Sequence, residues 1–163
     1  MESKTDITPK DVELMREAIR LSDESIARGG GPFGAVIARD GEIIAATSNS
    51  VVPDIDPTAH AEVNCIREAC RKLGTFDLSD CVIYTSCEPC PMCLGAIYWA
   101  HIGKIFYANT RHDAHSIDFA DNLIYEELEL PLEQRTKPII PLLRDEAKKV
   151  FKKWHDDIEK KRY

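Results

Sequence analysis

Apolar residues recur along the chain with two periods, which predict helices alternating with strands. After Thr8-Pro9, a helix start signal, apolar positions recur every three or four residues up to the glycines at 29–31. This stripe consists of Val12, Met15, Ile19, Ser22 and Ile26. Short apolar runs at 33–38 and 42–47 then flank Arg39-Asp40-Gly41, and this arrangement predicts a β-hairpin.

The same alternation continues to the end of the chain. Apolar spacing predicts a helix at 59–73, opened by the start signal Asp56-Pro57-Thr58. A strand at 81–85, a helix to about Ala100 and a strand at 104–108 follow. A last helical stripe predicts a packed final helix and contains Ala147, Val150, Phe151, Trp154 and Ile158. Strands that alternate with helices predict a layered α/β domain.

Length and composition indicate one cytoplasmic domain. The 163 residues predict a single domain over 1–163, with a C-terminal helix and tail from about 145. No apolar run at the N-terminus has the form of a signal peptide, and no stretch reaches the roughly 18 apolar residues of a membrane span. Three of the six cysteines, Cys65, Cys70 and Cys81, fall in apolar patterns, so we expect reduced thiols.

Two short motifs supply the candidate chemistry. The chain contains Thr58-Ala59-His60-Ala61-Glu62 and then Pro89-Cys90-Pro91-Met92-Cys93. His60, Cys90 and Cys93 make three metal ligands, which is the number that a catalytic zinc site uses while it leaves a fourth position to water. The sequence therefore predicts one Zn²⁺ per chain with a bound water or hydroxide. Glu62 is the predicted catalytic residue, which accepts the proton of that water.

The spacing around the two cysteines fits this prediction. Residues three apart share one face of a helix, so Cys90 and Cys93 can bind one ion. Pro89 and Pro91 favour a helix that begins here. A helix start lowers the pKa of a nearby cysteine and favours the thiolate form that ligates metal.

Three alternatives use the same residues differently. Cys87 stands three residues before Cys90 and would complete a closed Cys3His structural site. Cys90 and Cys93 would by themselves form a thioredoxin-like redox pair. Neither alternative has a use for Glu62. A non-catalytic, zinc-dependent interaction module is the third, and it would release no ammonia from a nucleobase.

Three longer segments carry a family resemblance. The chain resembles the cytidine-deaminase-like superfamily, and within it bacterial guanine deaminases, through Gly30-Gly31-Pro32-Phe33-Gly34-Ala35-Val36-Ile37, Asp56-Pro57-Thr58-Ala59-His60-Ala61-Glu62 and Ser86-Cys87-Glu88-Pro89-Cys90-Pro91-Met92-Cys93-Leu94-Gly95-Ala96-Ile97-Tyr98. The H-x-E and P-C-x-x-C order is the signature of zinc nucleobase deaminases. The resemblance implies a three-layer α/β/α fold with a mixed five-stranded sheet, bound zinc and a homodimer.

The resemblance also implies substrate-binding residues. Asn49 matches the asparagine that holds the substrate, and its amide both donates and accepts, although Ser48-Asn49-Ser50 is also ordinary turn chemistry. Tyr163 matches a terminal tyrosine that closes over the base, although chain ends usually fray. The backbone of Ala61 and Cys90 is implied to stabilise the tetrahedral intermediate.

An acidic residue is implied to accept hydrogen bonds from the ring N–H groups of the base. Asp121 keeps its place after Phe119 and is favoured, while Asp118 is the alternative. Phe33 and Trp99 are candidates either for a pocket wall or for the core. The cluster of Arg111, His112, Asp113 and His115 indicates either a second metal site or, with more weight, a solvated loop.

Charge narrows the choice of substrate. A formal net charge of −7 disfavours a protein that follows nucleic acid phosphates. The C-terminal lysines are interrupted by Asp156, Asp157 and Glu159, which is typical of a solvated helix face. This charge favours a small-molecule substrate, and the resemblance implies hydrolysis of guanine, a small purine base, to xanthine and ammonia. The alternatives are guanosine deamination, then deamination of adenosine in tRNA or of cytosine.

Overall fold

The computed structural model describes residues 6–119 and 121–163. The chain divides into two compact units, Met1–Asn122 and Leu123–Tyr163. The prediction of a single domain over 1–163 stays a prediction.

The first unit contains the predicted alternation of helices and strands. Its elements in chain order are α1 (Pro9–Ala27), β1 (Gly34–Arg39), β2 (Glu42–Ser48), α2 (Val51–Asp54), α3 (Ala61–Leu73), β3 (Val82–Cys87), α4 (Pro91–Trp99), β4 (Lys104–Asn109) and α5 (Arg111–Ser116). Each predicted element has boundaries within a few residues of its prediction, whereas α2 and α5 were not predicted, and α5 forms where a solvated loop was expected. The helix predicted at 59–73 begins at Ala61 because His60 has extended backbone and serves as its N-cap.

Helices cover both faces of the sheet. On one face, α1 packs against β1 and β3 through a buried cluster of Leu14, Ala18, Leu21, Val36, Ala38 and Tyr84. On the other face, α3 and α4 enclose a second cluster that includes Ala35, Ile37, Cys65, Ile83 and Ile97. Successive residues of β1 alternate between these clusters because side chains of a strand alternate between its faces. The three-layer α/β/α prediction is confirmed for this unit.

The sheet is mixed, but it has four strands in the part of the chain that the structure describes. Its order is β2-β1-β3-β4, with β1 antiparallel to both neighbours and β3 parallel to β4. The prediction of five strands is therefore wrong. The apolar stretch after Arg135 contains Pro138 and Pro141 and forms no strand. Proline lacks the N–H that a strand donates to its neighbour.

The second unit is helical. It contains most of α6 (Asn122–Glu129), a 3₁₀ turn at Leu132–Gln134, and α7 (Arg144–Asp156). The Glu127 carboxylate accepts hydrogen bonds from the backbone N–H and the hydroxyl of Thr136, which fixes the turn between the helices.

The final helix α7 forms where predicted, but its apolar stripe is not packed. Val150 and Phe151 are 65% and 78% exposed, and no residue of α7 is buried. A unit this short has too few residues to enclose the apolar faces of its own helices.

No helix within 6–119 and 121–163 has both the length and the apolar character needed to cross a membrane.

Candidate active site

The starts of two helices carry the metal-ligating residues. His60 is the N-cap of α3 and Cys90 is the N-cap of α4, both with extended backbone. Pro91 occupies the first position of α4, where the missing N–H costs nothing. The two helices pack against each other on one face of the sheet, so their starts lie side by side.

The ligand atoms converge at a distance that suits zinc. The Nδ1 atom of His60 lies 3.6 Å from the Cys90 sulfur and 3.4 Å from the Cys93 sulfur. All three ligand atoms lie within 4.8 Å of one another. Zinc bonds of about 2.0–2.1 Å to nitrogen and about 2.3 Å to sulfur in a tetrahedral site place N and S about 3.6 Å apart. The donor set therefore fits zinc, as predicted.

Cys87 does not join this group. Among the described residues, the three-ligand set is His60, Cys90 and Cys93, whereas the Cys87 sulfur lies 3.6 Å from the backbone oxygen of Thr110. Burial raises the pKa of the Cys87 thiol to about 11, so it stays protonated at neutral pH. The closed Cys3His alternative is thus without support from the geometry.

The two ligand cysteines share one proton. A hydrogen bond from Cys93, together with one from His60, lowers the pKa of Cys90 to about 4. The hydrogen bond to Cys90 in turn raises the pKa of Cys93. The hydrogen bond from Cys93 thus favours the thiolate form of Cys90, and the hydrogen bond of Cys90 raises the pKa of His60. Binding of a divalent cation releases the remaining proton, because zinc ligates thiolates.

Glu62 lies beside the ligand set. It is the second residue of α3, only 7% exposed, and its Oε2 atom lies 3.4 Å from the Cys93 sulfur. Burial raises the pKa of its carboxyl group. A raised pKa makes the carboxylate a stronger base, which suits a group that accepts a proton and returns it.

Asn49 follows the last residue of β2 and is nearly buried. Its Oδ1 atom accepts hydrogen bonds from the backbone N–H groups of Gly31 and Val51, both at 3.2 Å. Because both partners are donors, the amide oxygen must face them and its two lone pairs are occupied. The sequence predicted a side chain that both donates and accepts, whereas this geometry leaves the amino group as a donor.

The structure distinguishes Asp121 from Asp118. The Oδ1 atom of Asp121 is buried without a hydrogen-bond partner among the described residues, and burial raises the pKa of this carboxyl group. Asp118 is exposed and has a positive φ of 70°. Between them, the Phe119 ring meets Phe33 edge to face at a centroid distance of 4.8 Å. A buried acceptor without a donor is costly unless a ligand supplies one.

The remaining candidates are less closely tied to the ligand set. Trp99, at the end of α4, is 66% exposed, while Phe33 packs partly against the core. Ala61 is the buried first residue of α3, where backbone N–H groups have no partner within the helix. Tyr163 belongs to the second unit and is exposed. Its proposed role stays a prediction.

The cluster at 111–115 has a structural role in α5. Asp113 closes a capping box with Thr110 at the start of this helix. The Arg111 N–H donates to the Glu88 carboxylate at 2.8 Å. Within 6–119 and 121–163, no metal-ligand group includes this cluster, so a second metal site has no support. The link from Glu88 was not predicted, because sequence spacing gives no sign of a backbone partner 23 residues away.

Comparison with known proteins agrees with this site. Residues 8–109 match the family described as the cytidine and deoxycytidylate deaminase zinc-binding region. A guanine deaminase of Bacillus subtilis (strain 168) is 49% identical over 151 residues, which cover 92% of this chain and 97% of that protein. A tRNA-specific adenosine deaminase of Aquifex aeolicus is 42% identical over 58% of this chain and 63% of its own length.

A comparison with solved structures agrees with the fold described above. The X-ray structure of guanine deaminase from Bacillus subtilis matches with a TM-score of 0.90 and 48% identity, over 93% of this chain and 98% of that one. This match covers more of the chain than residues 8–109, the range of the family match that contains His60, Cys90 and Cys93. This chain is a member of the cytidine and deoxycytidylate deaminase zinc-binding family.

Proposed function

We propose that the protein is a zinc-dependent guanine deaminase that converts guanine and water to xanthine and ammonia. The observation that carries the reaction class is the triangle of His60, Cys90 and Cys93 with buried Glu62 beside it. The choice of guanine rests on the similarity to the Bacillus subtilis guanine deaminase over nearly the whole of both chains.

The residues of the site divide the chemical work. Zinc held by His60, Cys90 and Cys93 would lower the pKa of a ligated water to about 7. Glu62 accepts a proton from the attacking water and delivers it to a ring nitrogen as oxygen adds to the carbon that bears the exocyclic amine. Glu62 then transfers the remaining hydroxyl proton to the exocyclic amino group, so that the C–N bond breaks, ammonia leaves and the carbonyl of xanthine forms. The backbone N–H groups of Ala61 and Cys90 stabilise the developing negative charge.

Two side chains read the base in this proposal. The amino group of Asn49 donates to an acceptor on the purine, and the buried Asp121 oxygen accepts from a ring N–H group. The Phe33 ring contacts that of Phe119, two residues before Asp121 in the sequence, and in this proposal it forms part of the pocket wall. From the family resemblance, we also propose that Tyr163, of the same chain or of a second copy, closes over the bound base.

The buried acceptor oxygen of Asp121 also indicates which of the other substrates the site would bind. Guanine and guanosine both carry a ring N–H group, whereas neutral adenosine carries none. A buried carboxylate with no donor therefore rejects adenosine, even though a tRNA-specific adenosine deaminase is among the relatives. Guanosine deamination remains the second candidate.

We also propose a cytoplasmic homodimer that binds one zinc per chain. Large apolar side chains stay exposed in the single chain, including Tyr98 and Trp99 on α4 and Phe151 on α7. Exposed apolar surface of this kind is typical of an interface between subunits. All six cysteines are free, which fits a reducing compartment. Sedimentation equilibrium measures the mass, and a monomer at micromolar concentration would contradict the dimer.

A substrate panel tests the function directly. Zinc-replete protein is incubated with guanine, guanosine, cytosine, adenine and tRNA, and ammonia is measured. We expect release from guanine with the highest kcat/KM. Release from guanosine at an equal or higher rate would transfer the assignment to the nucleoside, and no release from any compound would favour the non-catalytic module.

A further inference from the structure

Asn64, in the first turn of α3, links two segments that contribute to the site. Its Nδ2 atom lies 3.0 Å from the Ser48 carbonyl oxygen, 2.9 Å from the Ser50 hydroxyl and 3.3 Å from the Ala59 carbonyl oxygen. Ser48 and Ser50 flank Asn49, and Ala59 precedes the metal-ligating His60.

The orientation of the Asn64 amide follows from these partners. Backbone carbonyl oxygens only accept, so the atom that faces Ser48 and Ala59 must be the amino nitrogen. Two hydrogens on that nitrogen serve three acceptors within hydrogen-bond distance. The Ser50 N–H also donates to the Ala59 oxygen at 3.0 Å, so the two segments are joined twice.

We propose that Asn64 is a positioning residue that fixes Asn49 for base recognition. This inference rests on the proposed contact between Asn49 and the base. The amide oxygen of Asn49 is already held by Gly31 and Val51, so the direction of its amino group depends on where the backbone at 48–50 lies. The Asn64 amide donates to the Ser48 carbonyl oxygen on one side of Asn49 and to the Ser50 hydroxyl on the other, and it anchors this segment to the helix that carries Glu62.

The loss expected from removing this link is kinetic. Without the Asn64 amide, Ser48 and Ser50 lose a donor, and the amino group of Asn49 can shift relative to the metal ligands. A misplacement of about 1 Å costs up to ~10²-fold in rate. Asn64→Ala should therefore lower kcat/KM for guanine by about 10- to 100-fold, with one zinc per chain retained.

The test is a double-mutant cycle between Asn64→Ala and Asn49→Ala, with kcat/KM for guanine, zinc content and melting temperature measured for each variant. If Asn64 acts through Asn49, its substitution in the Asn49→Ala background should change kcat/KM by no more than about twofold. Equal losses in both backgrounds would overturn the inference, because they would mean that Asn64 acts independently. Loss of zinc as the cause of reduced activity in a folded variant would also overturn it.

Two further variants at position 64 test whether donation is the property that matters. Asn64→Asp has the same shape but places acceptors against the two carbonyl oxygens, so it should lose more activity than Asn64→Ala. Asn64→Ser keeps one donor and should lose less. This order also keeps the inference testable if Asn64→Ala folds poorly, and the reverse order would contradict it.

Lys72→Ala is the matched control. Lys72 also lies on α3, and its side chain also donates to a backbone carbonyl of β2, that of Ile44 at 2.9 Å, but at the end of the helix away from the site. It should leave kcat/KM within about twofold of the unmodified protein. A loss equal to that of Asn64→Ala would assign the effect to general loosening of α3.

If Asn49→Ala alone leaves turnover unchanged, the proposed role of Asn49 fails together with this inference. A loss in Asn49→Ala without one in Asn64→Ala refutes only the inference.

Discussion

The metal-ligating residues and the proposed base-reading residues of this site are held in different ways. His60 and Cys90 lie at the starts of two helices that pack against each other, so backbone geometry places their side chains. Asn49 and Asp121 lie outside the long helices, and side-chain hydrogen bonds or ring contacts hold their segments. Substitution of a metal-ligating residue should therefore abolish zinc binding and turnover. Substitution of a base-reading residue should lower kcat/KM without abolishing it.

The metal-ligating residues should show the largest effect. Cys90→Ala removes one of three ligands, so we expect loss of zinc and of all measurable turnover. Cys87→Ala should retain both, because its sulfur lies outside the ligand triangle. Zinc content by mass spectrometry and ammonia release distinguish the two. Equal loss of zinc from both variants would restore the closed four-ligand site.

Glu62→Gln separates metal binding from catalysis next to the metal-ligating residues. The amide fills the same space but cannot transfer protons, so zinc should stay at about one per chain while kcat falls by ~10²–10⁴-fold. Metal analysis and steady-state kinetics on the same sample provide the measurement. A variant with unimpaired kcat would refute the role of Glu62.

Asp121→Asn tests the proposed base-reading residues. The substitution removes the negative charge of the buried acceptor, and the new amide can face the base with its amino group instead of its oxygen. We therefore expect kcat/KM for guanine to fall by about 10-fold or more at unchanged zinc content. Asp118→Asn is the control, because Asp118 is exposed. A larger loss from Asp118→Asn would make that residue the reader instead.

Removal of Tyr163 extends the test to the second unit. If the terminal tyrosine closes over the base, its deletion should lower kcat/KM for guanine about 10-fold, the scale of one lost hydrogen bond. Fold and zinc content should be unchanged, as judged by circular dichroism and metal analysis. Unaltered kinetics would leave base recognition to Asn49 and Asp121.

The smallest effect is expected on the face of the sheet that α1 covers, away from the metal-ligating residues at the starts of α3 and α4. Burial by itself raises the pKa of Asp11, but hydrogen bonds from Tyr84, at 2.5 Å, and from Thr8 outweigh it and keep the pKa below its usual value. Tyr84→Phe should cost about 1 kcal/mol of unfolding free energy at pH 7 and leave turnover unchanged.

The pH dependence of that effect has a defined sign. Because the folded pKa of Asp11 is depressed, its contribution is present above the unfolded value of about 3.9 and is lost as the pH falls through the folded value. Urea unfolding of both proteins between pH 7 and pH 3 should show the difference shrinking toward acid. A difference that grows toward acid would contradict this assignment.

Two predictions from the sequence were wrong, on the number of strands and on the packing of α7. The fifth strand was expected from resemblance alone, and Pro138 and Pro141 interrupt the apolar stretch after Arg135. The apolar stripe of α7 correctly predicted a helix, but periodicity indicates only that a face is apolar and not what covers it.

The sequence by itself determined the metal ligands, Glu62 and the helices that carry them. These residues lie within two short motifs at helix starts, where local backbone preferences of Pro91 and the N-cap positions act over a few residues. Tertiary structure decided which of Asp118 and Asp121 has a buried acceptor, and that Asn49 offers a donor only. It also brought Asn64 to the two sides of Asn49, 14 and 16 residues away. Hydrogen bonds over such separations depend on how the strand and helix pack, which no local pattern encodes.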